Sequence, residues 1–406
     1  MIEDIPGLRR GVRAMRVPKG LLFHDPQKWM LYLAPAGLPE EKLRTFLQQK
    51  GLTEESPEPA RSPRVRQTFW VTPQHAPSAK LQILHGARYS CVACGTSCRT
   101  MKLGPISPED VARMRALDWS GTGHDFKTFF VDGEGEPVDI DDWSGSCELF
   151  LRKEGGACQF LRADNLCDVH ARFGLRAKPL MCQAFPYYYR ATPTGMTVAM
   201  RLGECHSAVE TMRRDLVEEQ KRDLDDMLAL HLELALLPPS VWFTPDELCT
   251  YEEYEQLEAR LLEAGTPGSA GGAAAYARDV LRMLQPAPGA AAPLEELHEF
   301  VKRAREDYER PLRVAADPRP LDAQALEFED RLCRQTIFNK DLFLTPELSL
   351  GGALMVLKTF LTRLDAPEGT AQALNEAWSR SAGRKLRELS SGLDLRALAE
   401  RVLLLA

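Results

Sequence analysis

The pattern of hydrophobic and polar positions changes character along the chain. Residues 20–33 alternate in the manner of a β-hairpin, and residues 39–50 have helical periodicity behind a Pro-Glu-Glu start. Residues 53–63 are polar and interrupted by prolines, which is typical of a linker or an exposed loop. We therefore predict a small α/β unit with its linker over residues 1–60.

The next segment contains few regular runs. Residues 67–71 and 81–84 have the composition of short strands, and glycine-rich connections follow them. The sequence Ser107-Pro-Glu-Asp110 supplies a capping hydroxyl, a proline at the first helical position and an acid at the third. It predicts a helix that runs to about Leu117.

Helical patterns dominate after Ser207. Hydrophobic residues between Val209 and Leu228 recur at spacings of three, four and seven, which indicates an amphipathic helix. Thr244-Pro-Asp-Glu247 repeats the capping pattern ahead of the next helical segment. The predicted helices that follow are residues 251–264, 274–284, 294–308, 321–338, 350–364, 368–380 and 384–404.

These patterns together predict an α+β protein that is mainly α-helical. The small unit over residues 1–60 is followed by a cysteine-rich metal-binding domain with few short strands, residues 61–207, and by an α-helical domain, residues 208–406. A chain of 406 residues with 44% hydrophobic residues is long enough to bury such domains without crosslinks.

Composition narrows the classes of partner and compartment. The net charge of -7 supplies no broad positive field, so a nucleic-acid partner is disfavoured. The start Met-Ile-Glu-Asp-Ile-Pro lacks the pattern of a signal peptide, and no apolar run approaches the ~20 residues that cross a bilayer. We expect a cytoplasmic protein without a membrane partner; the sequence does not indicate an oligomeric state.

The ten cysteines are unevenly distributed, and eight of them lie within one segment. In a reducing compartment, closely spaced cysteines more often bind metal than form disulfides. Cys249 and Cys333 fall in predicted helical segments, where we expect them to pack in the core. The clustered cysteines, and candidate metal ligands, are Cys91, Cys94, Cys98, Cys147, Cys158, Cys167, Cys182 and Cys205.

The sequence Cys91-Val-Ala-Cys94-Gly-Thr-Ser-Cys98 places three soft ligands within eight residues, and its glycine permits a tight turn. Three ligands are one short of a closed site, so the later cysteines must complete it. Seven or eight thiols exceed the needs of one mononuclear ion. This number favours an iron–sulfur cluster, [4Fe–4S], or a cluster with a second metal, and zinc is the alternative. Cys147 has no motif beside it, so ligand and packing roles are equally open.

Several residues beside the cysteines have two interpretations each. His170 and His206 fit a zinc-ligand role or ordinary packing. The aromatic run Phe185-Pro-Tyr-Tyr-Tyr189 fits the core, a wall around a cluster, or a cation–π pocket for an alkylammonium. Asp168 and Glu204 adjoin candidate ligands, where a carboxylate is able to act as a base toward a bound lysine.

One stretch carries a family resemblance. Cys167-Asp-Val-His-Ala-Arg-Phe-Gly, followed by Lys178-Pro-Leu-Met-Cys182-Gln-Ala-Phe-Pro186, resembles the cysteine-cluster family of zinc- or iron-chelating proteins, and within it the flagellin lysine N-methylases. The resemblance spans roughly residues 89–207, with two departures. The family usually has a Cys-Cys pair where this chain has Ser97-Cys98, and an arginine often stands where this chain has Tyr187.

The resemblance implies both a ligand set and an activity. It implies an enzyme that binds an iron–sulfur cluster and transfers methyl groups from S-adenosylmethionine to a protein substrate with an accessible lysine. No Gly-x-Gly-x-x-Gly loop follows a strand, so the methyl-donor site is implied by the resemblance alone. The ligands implied are Cys91, Cys94, Cys98, Cys158, Cys167, Cys182 and Cys205.

Two non-enzymatic hypotheses stand beside this one. In the first, zinc or an iron–sulfur cluster staples a loop-rich domain, and the helical half offers a surface to a protein partner. In the second, the chain delivers a metal or cluster to another protein and needs labile, partly exposed ligands. Binding of S-adenosylmethionine would separate the enzyme from both.

Overall fold

The computed structural model describes residues 2–3, 5–28, 30–57, 69–202, 205, 207–211, 216–229, 231, 234–243, 248–264, 320–342, 348–366 and 368–380. Contacts gather the chain into two compact units. The first unit comprises residues 1–85, 189–203 and 232–406, and the second comprises 86–188 and 204–231. Because the second contains all eight clustered cysteines, we call it the cysteine unit. Most of its residues fall within the predicted domain 61–207. The flanking segments, residues 1–85 and 189–203, belong to the first unit.

The described residues mix helices with several small sheets, as the predicted α+β class requires. The strands are Ile2–Glu3, Arg13–Val17, Gly20–Asp25, Met30–Pro35, Phe69–Val71, Leu81–Gln82, Phe130–Val131, Phe150–Leu151, Lys153–Glu154, Ala157–Cys158, Tyr187–Ala191, Met196–Met200, Leu234–Leu236, Ser240–Trp242 and Leu248–Thr250. The α-helices are Glu40–Lys50, Thr96–Thr100, Pro108–Arg115, Asp168–Phe173, Leu180–Ala184, Ala208–Thr211, Lys221–Leu228, Tyr251–Ala264, Ala323–Phe338, Leu348–Leu364 and Ala371–Arg380.

The amino-terminal part of the first unit is a meander of antiparallel strands with a helix beside it. Gly20–Asp25 pairs with Met30–Pro35, which confirms the predicted hairpin, and the helix Glu40–Lys50 begins directly after Pro39. Side chains from the strands and the helix share one hydrophobic core, to which Phe23 and Leu47 belong. The local sequence pattern is sufficient to predict this part of the fold, because its contacts join elements that are neighbours along the chain.

A second sheet of the first unit is assembled from distant segments. Within the described residues its strand order is Phe69–Val71, Leu234–Leu236, Tyr187–Ala191, Met196–Met200 and Leu81–Gln82. Two of its pairings are parallel, between Arg190 and Ala235 and between Met196 and Leu81. The outer two of these strands fall within runs that the sequence predicted to be extended.

The carboxyl-terminal helices follow the predicted periodicity closely. Tyr251–Ala264 has the predicted bounds, and the helices at Ala323, Leu348 and Ala371 begin within three residues of the predicted positions. The predicted helices 274–284, 294–308 and 384–404 lie outside the described residues.

The first of these helices is capped by residues other than those predicted. The predicted cap, Thr244–Glu247, lies outside the described residues. Instead the Thr250 hydroxyl accepts the Glu253 N–H at 3.3 Å, and the Glu253 carboxylate accepts the Thr250 N–H at 2.7 Å. This reciprocal capping box satisfies two backbone donors at the start of the helix.

Two predictions for residues 208–406 are wrong. Three strands, Leu234–Leu236, Ser240–Trp242 and Leu248–Thr250, interrupt a region that was expected to be all helical. The predicted helix from Val209 to Leu228 is also divided. Leu216 has extended backbone, and the Val217 N–H donates to the Ala87 carbonyl at 2.9 Å, so pairing with a distant segment overrides helical periodicity there.

No helix among the described residues is long and apolar enough to cross a membrane.

Candidate metal centre

The cysteine unit is built from short elements around an aromatic core. Trp119 stacks on Phe160 with ring centroids 5.7 Å apart and meets Phe129 edge-on at 4.7 Å. Cys158 is buried in this core, and four further cysteines pack against it as partly buried side chains: Cys98, Cys147, Cys167 and Cys182. The described strands around this core are only two residues long each. Side-chain packing, rather than a sheet, therefore organises the unit.

The loop that carries the first cysteines has an unusual backbone. Ala93 and Gly95 are both left-handed, with φ of 52° and 67°. At position 95 a side chain would meet the Arg99 guanidinium, because a Cβ there would lie 2.7 Å from its Nη1 atom. The Arg99 side chain could move aside, but the left-handed φ of position 95 is one that residues with a Cβ rarely adopt, so glycine is favoured at the turn that starts the helix Thr96–Thr100.

Backbone N–H groups approach the sulfur atoms of four cysteines in the same way. In each case the donor lies two residues after the cysteine: Ala93 for Cys91, at 3.3 Å, Thr96 for Cys94, Phe160 for Cys158 and Ser207 for Cys205. A hydrogen bond to an ionised acceptor is roughly twice as strong as one between neutral groups. At Cys158 and Cys205 burial outweighs this contribution and raises the pKa of the thiol.

Four of the thiols are neighbours in the hydrophobic part of the unit. We call Cys98, Cys158, Cys167 and Cys182 the four-thiol set. Burial raises the pKa of Cys182; the Lys178 cation opposes the shift, and the charges of the other three thiols add to it. Burial likewise raises the pKa of Cys158 to about 12, and Cys98 and Cys167 add to that rise. The four thiols are thus close enough to repel one another as thiolates.

Three other thiols lie among hydroxyl groups. We call Cys91, Cys94 and Cys205 the three-thiol set. Burial opposes ionisation of Cys94, but hydroxyls of Ser207 and Thr96 donate to its sulfur, and the pKa of the thiol is lowered.

Cys205 completes the three-thiol set from a distant part of the sequence. Burial raises the pKa of its thiol, although the hydroxyls of Tyr89 and Thr211 donate to the sulfur, and the charge of Cys94 adds to the rise. Cys91 is exposed. Burial raises the pKa of Tyr89, and the charges of Cys205 and Cys91 add to that rise. Burial raises the pKa of Cys98, and the charges of Cys167, Cys91 and Cys94 add to the rise, so Cys98 is the thiol near both sets.

A hydrogen-bonded clamp positions Cys182. The Asp110 carboxylate, which is buried, accepts the Leu180 N–H at 3.0 Å at the start of the helix Leu180–Ala184. Arg113 donates to the Lys178 carbonyl at 3.1 Å, and Gln183 donates to the same carbonyl at 2.6 Å. Asp110 itself lies in the predicted helix, whose Ser107 cap accepts its N–H at 3.1 Å as expected.

We expect Asp110→Ala to lower the free energy of unfolding of the cysteine unit by about 2–3 kcal/mol, because it leaves the partly buried Leu180 N–H without its acceptor and the Arg113 guanidinium without its carboxylate partner. The change should also weaken metal retention, since the helix that carries Cys182 loses its anchor. Urea unfolding and metal analysis measure the two effects. Asp141→Ala, which removes an exposed carboxylate of the same unit, is the matched control and should cost within about 0.5 kcal/mol. Equal losses for both variants would contradict the clamp.

The remaining candidates are placed less favourably for chemistry. Asp168 is buried, yet Arg172 and His124 donate to its carboxylate and its pKa is lowered, which makes it a poor base. Glu204 and His206 lie outside the described residues. His170 is exposed rather than packed in a core.

Two tyrosines of the aromatic run after Cys182 are buried in the protein interior. Tyr187 and Tyr189 are 8% and 5% exposed. Tyr187 meets Tyr89 edge-on at 5.6 Å, and its hydroxyl donates to Gln220 at 3.2 Å. These contacts favour the core interpretation over an open alkylammonium pocket.

The other cysteines are placed as follows. Cys147 packs against the aromatic core, and its carbonyl accepts the Trp143 indole N–H at 3.0 Å. Cys333 is fully buried in the helix Ala323–Phe338, as predicted. Cys249 is buried too, but it lies in the strand Leu248–Thr250 and not in a helix.

Sequence reasoning missed the groups that surround the thiols, chiefly Tyr89, Asp110 and Thr211. A signal did exist for two others. Cys94-Gly-Thr96 and Cys205-His-Ser207 both place a hydroxyl residue two positions after a cysteine, where its N–H reaches the sulfur of that cysteine.

Within the described part of the chain, no three His, Cys, Asp or Glu side chains are arranged in the way that would hold a metal ion. The thiols are therefore neighbours without forming a preassembled ligand shell.

Comparison of the chain with protein-family models, with curated proteins and with solved structures finds no match. The resemblance to the cysteine-cluster family thus rests on the motif residues alone, and the activity that it implies stays a prediction.

Proposed function

We propose that the chain binds an iron–sulfur cluster, [4Fe–4S], and that the four-thiol set supplies its ligands. The observation that carries this proposal is the gathering of four thiols from four separate segments within one hydrophobic unit. As thiolates these side chains repel one another. A cationic centre between them relieves that repulsion, and four soft sulfur ligands suit an iron–sulfur cluster or zinc.

The surroundings of the four-thiol set support a cluster. The aromatic core limits access of water, which tunes and protects iron–sulfur centres. Lys178 lies near Cys98 and Cys182, and its cation offsets part of the negative charge that four thiolates bring. Metal binding and folding are coupled, so the ligands need not converge before the metal is bound.

The role that this geometry favours is structural. The cysteine unit has short elements, with described helices of four to eight residues, and a metal centre would supply free energy that such elements lack.

Methyl transfer from S-adenosylmethionine to protein lysines is the enzymatic form of the proposal, implied by the family resemblance. Equilibrium dialysis with labelled S-adenosylmethionine tests this activity. Absence of binding would favour the non-enzymatic hypothesis, in which the metal staples the domain and the helical half offers a surface to a protein partner.

The test of the metal proposal is iron, zinc and acid-labile sulfide per chain, measured after purification without oxygen together with the visible spectrum. About four iron and four sulfide per chain would support a [4Fe–4S] cluster. Stoichiometric zinc without sulfide would replace the cluster with structural zinc. A chain that retains neither metal while remaining folded would overturn the proposal.

A further inference from the structure

One turn of the cysteine unit presents a large hydrophobic side chain to solvent. Leu166 is 46% exposed, and among the large hydrophobic side chains of the described residues only Leu326, at 38%, is exposed as well. Single exposed hydrophobic residues are common on protein surfaces, so exposure alone gives Leu166 no role. The turn that holds Leu166 and the charges beside it are the observations that do.

The turn before Leu166 is held by hydrogen bonds on both sides. The Arg162 N–H donates to the Leu166 carbonyl at 2.9 Å, and the Asn165 N–H donates to the Arg162 carbonyl at 3.0 Å. The Asp164 carboxylate accepts the Leu166 N–H at 3.1 Å. Asn165 is left-handed, with φ of 64°, a conformation that asparagine adopts more readily than most residues. These bonds fix Leu166 before any partner arrives, which lowers the entropic cost of binding.

Three cations lie on the segments next to this turn. The Arg99 guanidinium donates to the Asn165 side chain, and the Lys153 ammonium donates to the Arg99 carbonyl at 2.7 Å. Lys102 follows Arg99 on the same segment, and its ammonium donates to the Gly133 carbonyl at 2.5 Å. No carboxylate of the described residues forms an ion pair with any of the three, so their charges are available to a partner.

Most of the other described cations in the cysteine unit do have a carboxylate partner. These ion pairs are Arg113–Asp110, Arg115–Asp141, Lys127–Asp141, Arg152–Glu154, Arg162–Asp164, Arg172–Asp168, Arg176–Asp226 and Lys221–Asp225. The unpaired cations beside Leu166 therefore differ from the general surface of the unit. We call Leu166, Arg99, Lys102 and Lys153 the Leu166 face.

We propose that the Leu166 face is a docking surface for another protein, which contributes an acidic segment with an apolar side chain between its carboxylates. The carboxylates pair with the three cations, and the apolar side chain covers Leu166. Protein interfaces combine a hydrophobic centre with a polar rim, and this face has the same arrangement. The inference goes beyond the proposed metal centre and does not require it.

The surroundings of the face favour an acidic protein segment over other partners. Lys102 joins the face to a loop in which the Asp132 carboxylate accepts the N–H groups of Glu134 and Glu136, both exposed. A continuous polyanion such as DNA would meet these carboxylates, whereas a short acidic segment avoids them. A second copy of the chain carries the same net charge of -7, so long-range repulsion opposes self-association.

The test measures binding of a labelled peptide, in which one leucine lies between runs of glutamate, to the whole chain by fluorescence anisotropy. We expect saturable binding that weakens as salt rises, because exposed charges are screened. Leu166→Ser should weaken binding about 10-fold. Arg99→Gln combined with Lys102→Gln and Lys153→Gln should also weaken it about 10-fold and should remove most of the salt dependence. Absence of saturable binding would overturn the proposal.

Matched variants separate this face from charge in general. Arg115→Gln combined with Lys127→Gln and Arg176→Gln makes the same change in net charge at paired cations and should leave affinity within about twofold. Leu326→Ser is the control for Leu166→Ser and should have no effect. Metal content of Leu166→Ser should match wild type, which separates loss of docking from loss of the proposed centre. Equal losses of affinity in test and control variants would refute the assignment.

Carbodiimide cross-linking locates the bound peptide, because it joins carboxylates to the lysines that they contact. Mass spectrometry should find the peptide on Lys102 and Lys153 and not on Lys127 or Lys221, which have carboxylate partners. Cross-links confined to other lysines would overturn the location. Tighter binding of duplex DNA or of phosphatidylserine vesicles through the same residues, or self-association that Leu166→Ser abolishes, would overturn an acidic protein segment as the occupant.

Discussion

Cys182→Ala is expected to lose most of the metal of the four-thiol set and to lower the free energy of unfolding of the cysteine unit by on the order of 4 kcal/mol. Cys182 is the thiol that the charges of Cys98, Cys158 and Cys167 all reach, and it packs against the hydrophobic core of the unit. Because ligands are assembled only by the fold, metal binding free energy contributes to folding, and removal of one ligand forfeits much of it.

The matched control is Cys333→Ala, which deletes a buried thiol of the first unit. This variant should lose only about 1–2 kcal/mol, from the small cavity that remains, and should keep its full metal content. Metal analysis and hydrogen exchange over residues 86–188 measure the two quantities.

A chelator separates the contribution of the metal from the contribution of packing. After exhaustive removal of metal, wild type and Cys182→Ala should differ by only the packing cost that Cys333→Ala shows. If Cys182→Ala instead keeps its metal while Cys333→Ala loses it, the assignment of ligands is wrong.

Much of the local structure could be predicted because its causes are local. The Ser107 hydroxyl caps the helix Pro108–Arg115 within one turn, and the hairpin at Gly20–Asp25 pairs with the next strand along the chain. The helices after Tyr251 follow the same logic, since their hydrophobic stripes recur every three or four residues. Where a helix was wrongly expected, at Leu216, the competing interaction comes from Ala87 and Arg88, far away in the sequence.

The division of the thiols could not be predicted, because spacing alone permits many fourfold sets. Cys94 and Cys98 belong to one motif, yet Cys94 and Cys205 both accept hydrogen bonds from Ser207, while Cys98 packs beside Cys158. A short helical turn between the two directs their side chains to different surroundings. The five-stranded sheet could not be predicted from local pattern either, because its parallel pairings join segments more than forty residues apart.

Lys340→Met should destabilise the first unit by about 3–5 kcal/mol, the cost of leaving a buried charge without its partner. The Lys340 side chain is 2% exposed and forms an ion pair with Glu258, which is 8% exposed. Its ammonium also lies 5.0 Å from the centre of the Phe338 ring. Methionine keeps the length of the side chain, so the loss reports the charge and not a cavity.

The same variant should have a characteristic pH dependence. Burial raises the pKa of Glu258 above its usual 4.5 even with Lys340 present, and removal of the cation raises this pKa further. A carboxyl whose pKa is raised in the folded state contributes stability that is present below the unfolded pKa and lost as pH rises through the folded pKa. The deficit of Lys340→Met should therefore be smallest near pH 4 and should grow toward neutral pH.

Urea unfolding across that pH range measures this deficit, and two comparisons locate its cause. Lys340→Met combined with Glu258→Gln removes both charges and should recover most of the stability at neutral pH. Arg331→Met, which breaks the more exposed pair with Glu327, should cost about 0.5 kcal/mol at most. A deficit that is the same at pH 4 and pH 8, or that the second substitution fails to relieve, would show that Lys340 acts through packing and not through its charge.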